Sequence, residues 1–288
     1  MPTADANFDV RAVGLAESAA TSAFLRVNVA ANAFALGWLV HRGVRQMPGR
    51  APFRWIAAFA GPPAAPPKVL AAALILSKQV VITSHASPAV AKALGLAAAP
   101  EVDVLRVTIG PWDTARTVRE QLAPDVTPHR EIDQQLFDTT TAPRVGEDPT
   151  LRFAVVEDLD AIAMASFEMM EADAGSPPGE EQRHAFRETL RWKIRAERLY
   201  CVSDEHGLLF KASAAEAAPE CVQLEGVYVR PDCRGRGIGR HYMALLTARL
   251  LQRFERVSLY ASRDNLPACA VYDRLGFRRV ERFTTLYL

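Results

Sequence analysis

Between Val222 and Leu246 the chain reads VQLEGVYVRPDCRGRGIGRHYMALL. A strand-like run ends at Pro231 and passes through Arg234-Gly235-Arg236-Gly237-Ile238-Gly239 into a helical pattern. Glycines at 235, 237 and 239 let the backbone take positive φ and approach a ligand closely. The free N–H groups of such a turn and of the helix start converge on one place, and the helix dipole makes that place favourable for anions. Arg234, Arg236 and Arg240 add positive charge. The chemistry this suggests is a pyrophosphate cradle. A glycine-rich turn carrying solvated arginines is the plainer alternative, because short glycine motifs recur by chance. The terminal Gly-Lys-Ser/Thr of a Walker loop is missing. A dinucleotide fingerprint is also excluded: an antiparallel strand pair precedes the turn, and Tyr260 and Ala261 stand where the next strand would need an acidic residue.

Downstream come a strand and then Asn265, Ala268, Tyr272, Gly276 and Phe277. Together, Gln223–Phe277 resembles the GNAT superfamily of N-acetyltransferases, whose motif runs strand, R/Q-x-x-G-x-G/A, helix, strand, N-x-x-A-x-x-x-Y-x-x-x-G-F. Here those positions read Arg234 through Gly239, then Asn265 and Ala268 through Tyr272 to Gly276-Phe277, in order and at family spacing. The resemblance covers Leu151–Leu288. It implies a mixed α/β (α+β) sheet of the acyl-CoA N-acyltransferase fold, with acetyl-CoA as co-substrate between two splayed parallel strands, Val222–Val229 and Val257–Ala261. It further implies that the pantetheine amides pair with the backbone of Val227, Tyr228 and Val229. The pyrophosphate would lie on Arg234, Gly235, Arg236, Gly237, Ile238, Gly239 and Arg240, and Asn265 would reach the pantetheine arm.

Amine acetylation needs a neutral nucleophile, and an amine with a pKa of about 10.4 is mostly protonated at neutral pH. A carboxylate at the cleft can remove that proton, directly or through water. Glu225 stands on the strand just before the cradle, and a similar glutamate is the base in several family members; its alternative is a salt bridge on an exposed strand. Backbone N–H near Tyr228 or Val229 would stabilise an oxyanion. Tyr272 is expected to return a proton to the departing thiolate. It also shares a helical face with Ala268, Val271 and Leu275, so a core position is its alternative. Asn265 can cap the helix that Pro267 opens, and that role is compatible with binding. Gly276 is expected to end this helix, and Phe277 to be core. Cys233 beside the arginines could be reactive, but a filler role is the simpler reading. Glu168, Glu171 and Asp173 could hold a cationic acceptor or form a solvated helix face. The histidines form no metal-binding pattern, so no metal is expected.

The elements that must position these residues alternate clearly in the second half. Strands are expected at 152–156, 199–203, 208–215, 221–229, 257–261 and 282–288, and helices at 159–171, 180–197, 238–254 and 267–275. The first half is alanine-rich and harder to read. A helix over 22–40, strands at 53–60, 68–76, 80–83 and 104–109, a helix from Pro88 ended by Gly95, a helix at 112–122 and a strand at 131–138 are expected. The Pro-rich stretch 61–68 bridges two of these strands. The run TTTAPRVGEDPT, Thr139–Thr150, reads as a linker, giving domains at 1–145 and 150–288. The first half has no R-x-x-G-x-G, and its strand–helix order resembles a degenerate GNAT-like unit in a tandem-GNAT layout. It is expected to bind no CoA and to shape the acceptor mouth or a contact within a homodimer.

The 288 residues suffice for two domains with sizeable cores. Lys+Arg 34 against Asp+Glu 33 leaves a formal charge of +1, with no basic field for nucleic acid. Mean hydropathy of -0.01 and the short apolar runs argue against a membrane span. No secretory signal pattern is visible at the start, and the four cysteines are too widely spaced for a disulfide framework or zinc site. A cytoplasmic location is the default expectation. The leading functional expectation is an N-acetyltransferase that moves acetyl from acetyl-CoA to a primary amine by direct attack. The alternatives are an acyl-CoA-binding sensor or scaffold without catalysis, and a nucleic-acid module built on Arg230–Arg240. The charge balance and the lack of interleaved aromatics oppose the latter. Small molecules and peptides both remain open as acceptors.

Overall fold

The computed structural model describes residues 7–45, 52–61, 67–76, 78–101 and 106–288. They form two compact units, Met1–Leu136 with Glu281–Leu288, and Phe137–Val280.

The first half of the chain runs β1 (Phe8–Ala12), α1 (Leu15–Val27), α2 (Val29–Arg42), β2 (Phe53–Ala60), β3 (Lys68–Leu76), β4 (Gln79–Ile82), α3 (Pro88–Ala98), β5 (Val107–Pro111), α4 (Trp112–Leu122) and β6 (Arg130–Thr139), whose last three residues belong to the second unit. The second runs β7 (Arg152–Phe153), α5 (Leu159–Ala174), α6 (Glu180–Arg195), β8 (Leu199–Asp204), β9 (Gly207–Ala218), β10 (Cys221–Val229), α7 (Ile238–Leu250), β11 (Val257–Ser262), α8 (Leu266–Arg274) and β12 (Arg278–Tyr287). The two element orders are the same. In both, the fourth strand runs parallel to the fifth with a helix between them, and its partner on the other side is antiparallel.

Several boundaries differ from the sequence expectations for local reasons. The helix expected over 22–40 is two helices. Asn28 leaves helical geometry at φ -128°, ψ 73°, its side chain accepts from the Ala31 N–H, and its amide donates to Glu281 at 2.7 Å. Strand β1 was not expected. Gly95 does not end α3, which continues to Ala98. Its missing side chain serves packing instead, because a Cβ there would stand 2.6 Å from Gln121 Cβ on α4. The strand expected at 152–156 is only Arg152–Phe153, since Asp158 accepts from the Val155 N–H and opens a helical turn. Val104 and Leu105 of the strand expected at 104–109 lie outside the described residues, as does most of the Pro-rich bridge. The strand expected to close the second half begins in the second unit but, from Glu281 on, belongs to the first. There it lies between β5 and β6, with Phe283 opposite Pro111 and Tyr287 opposite Val107.

In the second unit the strand order is β11-β10-β9-β8-β7. Inward residues of α7 and α8 (Tyr242, Leu246, Leu250, Cys269, Tyr272) pack on Phe210, Ala212, Val222 and Leu224. On the other face, Ile162, Phe167 and Leu190 of α5 and α6 pack on Leu199, Cys201 and Tyr228. The buried Asp138 pairs with Arg256 and Arg278. Among the described residues, no helix is long and apolar enough to cross a membrane.

Candidate active site

Strands β10 and β11 pair in parallel only at Val222–Val257, Gln223–Ser258 and Leu224–Leu259. Beyond Leu224 the ladder stops while both strands continue, so their backbones diverge into an open notch whose β10 side is Glu225 to Val229. At its head, Gly235 and Gly237 hold φ of +76° and +83°, a region where a β-carbon is costly. Neither position has an atom within 4 Å of a would-be Cβ, so both face open space. Gly237 caps α7, and the N–H groups of Ile238, Gly239 and Arg240 belong to the first turn, which has no intrahelical acceptors. Gly239 has ordinary φ, and a Cβ there would lie 3.3 Å from Val229. Arg236 and Arg240 are exposed at this rim. Arg234 is held more firmly: its Nε donates to the Val229 carbonyl at 3.0 Å, and its guanidinium lies 5.8 Å from the Tyr228 ring centre. These features fit an anionic pyrophosphate, the group a CoA thioester would bring.

The turn before the cradle is fixed by Arg230, which donates twice to Asp204 (2.7 and 2.9 Å) and once to Asp232 (2.9 Å). The Arg230 guanidinium holds the Asp204 carboxyl down at about 2. Arg230 also donates to the Cys233 sulfur at 3.3 Å, and Cys233 is buried. The filler reading of Cys233 fits this placement.

The floor of the notch carries a bulge. Glu225 stands opposite Ser213 and Tyr228 opposite Lys211, so three steps on β10 match two on β9. Gly226 takes the strain at φ +62°. In a regular strand residues three apart point to opposite faces. The bulge therefore brings the Glu225 and Tyr228 side chains to one face, that of α5 and α6, while Val227 and Val229 pack on the α7 side. Tyr228 donates to Glu168 Oε2 at 3.2 Å, and burial together with Glu168 pushes its phenol up.

Two lysines meet this floor that sequence reasoning did not single out. Lys211 is only 3% exposed, and its Nζ donates to the Gly226 carbonyl at 3.0 Å, tying down the bulge. Burial, and then repulsion from Lys193, hold its ammonium down at about 8, opposed by attraction to Glu225. Lys193, on α6, forms an ion pair with Glu225. Glu225 is thus in the salt bridge weighed as its alternative, yet remains 38% exposed. The only sequence signal for Lys211 was a lysine inside the apolar strand LLFKASAA. The Lys193 pair joins residues 32 apart, and no local pattern shows it.

Tyr272 is 5% exposed, with ring centres 5.4 Å from Phe137 and 5.8 Å from Phe277. Burial raises its phenol well above the ordinary tyrosine range, so it keeps its proton at neutral pH. Asn265 caps α8, accepting from the Ala268 N–H at 3.2 Å. Gly276 follows that helix at φ +80°. Among the described residues no group of His, Cys, Asp or Glu is arranged to hold a metal ion.

The corresponding place in the first unit is closed. After β4, the Ala86 N–H donates to the Thr114 hydroxyl at 3.0 Å and the Val90 N–H to Ser87 at 3.4 Å, while Pro88 has no N–H. The strands also stay close: a Cβ on Gly110 would come within 2.8 Å of Ile82 Cβ.

The model of the acetyltransferase (GNAT) family matches residues 127–277. A 56-residue stretch is 46% identical to mycothiol acetyltransferase of Saccharomonospora viridis, covering 19% of this chain and 18% of that protein. A GNAT-family structure from Novosphingobium aromaticivorans aligns with a TM-score of 0.54 at 15% identity, over 89% of this chain and 96% of that one. A tandem GNAT protein from the clavulanic acid biosynthesis pathway aligns at 0.52 and 14% identity, over 97% and 98%. At these identities the two structures show the fold.

Proposed function

Because the chain belongs to the GNAT acetyltransferase family, we propose that it transfers an acetyl group from acetyl-CoA to the primary amine of an acceptor by direct attack. The supporting observation is the notch itself: a parallel pair that stops at Leu224–Leu259, with an open glycine cradle at its head and Glu225 on its floor. Acetyl-CoA, when bound, supplies a thioester whose carbonyl carbon takes the amine nitrogen and whose thiol leaves as the C–S bond breaks. Gly235 to Arg240, with the arginines of that loop, bind the pyrophosphate. The β10 backbone at Val227–Val229 aligns the pantetheine arm with Asn265, and a β10 N–H beyond the bulge faces the carbonyl oxygen. Glu225 removes the amine proton, directly or through one water. Tyr272, held protonated by burial, returns a proton to the departing sulfur. The thiol is a better leaving group than an amine, so the residues mainly position reactants and move protons.

The test is thiol release from acetyl-CoA with a panel of amines, amino acids and peptides, beside calorimetry of acetyl-CoA binding. Binding with acceptor-dependent release supports the reading. Binding without release from any acceptor leaves an acyl-CoA sensor, and no binding ends both.

A further inference from the structure

We infer that the acceptor carries a carboxylate close to its primary amine, and that Lys193 is the residue that recognises it. This rests on the acetyltransferase reading and names the acceptor class for the same site.

Lys193 is paired with Glu225, the one carboxylate on the β10 floor, and its side chain is only 13% exposed. Lys211 lies below them, directed to the Gly226 carbonyl. Two ammonium groups therefore share one carboxylate. Further along this face, Glu168 accepts from the Tyr228 hydroxyl, and Arg234 lies against the Tyr228 ring. When Glu225 takes a proton from an acceptor it becomes neutral, and Lys193 loses its counter-charge. Leaving the mostly buried Lys193 ammonium without a counter-charge is costly. A purely cationic acceptor makes this worse, because it brings a third positive charge to one carboxylate. An acceptor with its own carboxylate avoids the cost. Lys193 passes from Glu225 to the acceptor's carboxylate, and Glu225 is released to the amine. Charge is matched before and after, and both new contacts are charge-assisted. The reach is short, since any group bound to the second Glu225 oxygen lies next to Lys193.

The experiment compares amino acids with their primary amides as acceptors, by thiol release from acetyl-CoA, in the wild-type protein, Lys193→Met and Lys193→Arg. The amide's amine is less basic and so more often neutral, which biases intrinsic reactivity against the expected result. The expected result is a kcat/KM about tenfold or more higher for the free carboxylate, the scale of one charged hydrogen bond. That preference should collapse to about parity in Lys193→Met and persist in Lys193→Arg. Unchanged acetyl-CoA affinity by calorimetry would show that the variants are folded. Amides used as well as or better than acids by the wild-type protein would overturn the inference and leave the acetyltransferase reading standing. A preference for acids that survives Lys193→Met would overturn the role of Lys193. Thiol release from no acceptor would remove the underlying reading, and the inference with it.

Discussion

Replacing Lys211 with methionine keeps the stem of the side chain and removes a buried titrating group. In the unfolded chain the ammonium has its ordinary value of 10.5; in the fold, burial and Lys193 hold it at about 8. Below pH 8 both states carry the proton, and the fold bears the full cost of the buried charge. Between pH 8 and 10.5 the unfolded chain retains a proton that the folded protein releases, so stability from this group rises with pH. The interval from 10.5 to about 8 corresponds to about 3 kcal/mol in all, of which about 2 kcal/mol should be recovered between pH 7 and pH 10. The lost bond to the Gly226 carbonyl costs the variant about 1 kcal/mol at every pH, because a neutral amine still donates. The assay is urea unfolding of both proteins from pH 7 to pH 10, read as the difference between them so that other titrations cancel. The wild-type protein should gain on Lys211→Met by about 2 kcal/mol across that range. If unfolding has two transitions, the gain belongs to the one involving the second unit. Parallel pH profiles would refute the claim that Lys211 is buried with a depressed affinity for its proton.

Gly237→Ala should cost about 1–2 kcal/mol of backbone strain and weaken acetyl-CoA binding, since φ there is +83° and the space ahead of it is open; unchanged affinity by calorimetry would reject the cradle. Glu225→Gln should keep acetyl-CoA affinity and slow turnover by about 10²–10⁴-fold, with the loss shrinking as pH rises and free amine becomes abundant. A variant with full neutral-pH turnover would rule out the base. Tyr272→Phe, which preserves the packing on Phe137 and Phe277, should lower the rate at saturating acetyl-CoA without changing the melting temperature much. An unchanged rate would reduce Tyr272 to a core residue.

The head of the notch was legible because its signal is covalent. Positions that need φ near +80° leave glycine as the ready choice, so Gly235 and Gly237 announce their backbone wherever the chain goes. Strand β10 was legible from a clear pattern bounded by Pro231, and helix α4 lies at the bounds expected for it. The floor was not. Gly226 looks like any strand glycine, and only its register against β9 reveals the bulge that turns Tyr228 towards the face of Glu225. Lys211 sits inside an apolar strand, where propensity says nothing of its burial. Its neighbour Lys193 reaches Glu225 from helix α6, so their meeting is a tertiary fact. In the first half, β1 alternates over only five residues, FDVRA, and alanine blurred the break at Asn28, where a side-chain cap decides the local geometry. Gly95 was misleading for the opposite reason: its value lies in what α4 brings against it, not in its own torsions.

The placement of Glu281–Leu288 in the first unit has a consequence for biogenesis. As the ribosome extends the chain, residues 1–136 emerge with β5 and β6 lacking the strand that separates them. The missing partner is encoded more than a hundred residues later, since Pro111 must wait for Phe283. Until then both strands present unsatisfied edges, a configuration prone to pairing with the wrong chain. The amino-terminal unit therefore cannot complete its sheet by the usual vectorial order in which early domains finish first. Closure of so distant a pairing is slow on topological grounds. Nascent chains stalled before Glu281 should accordingly expose a protease-sensitive, chaperone-binding first unit, although every residue of its helices has already been made.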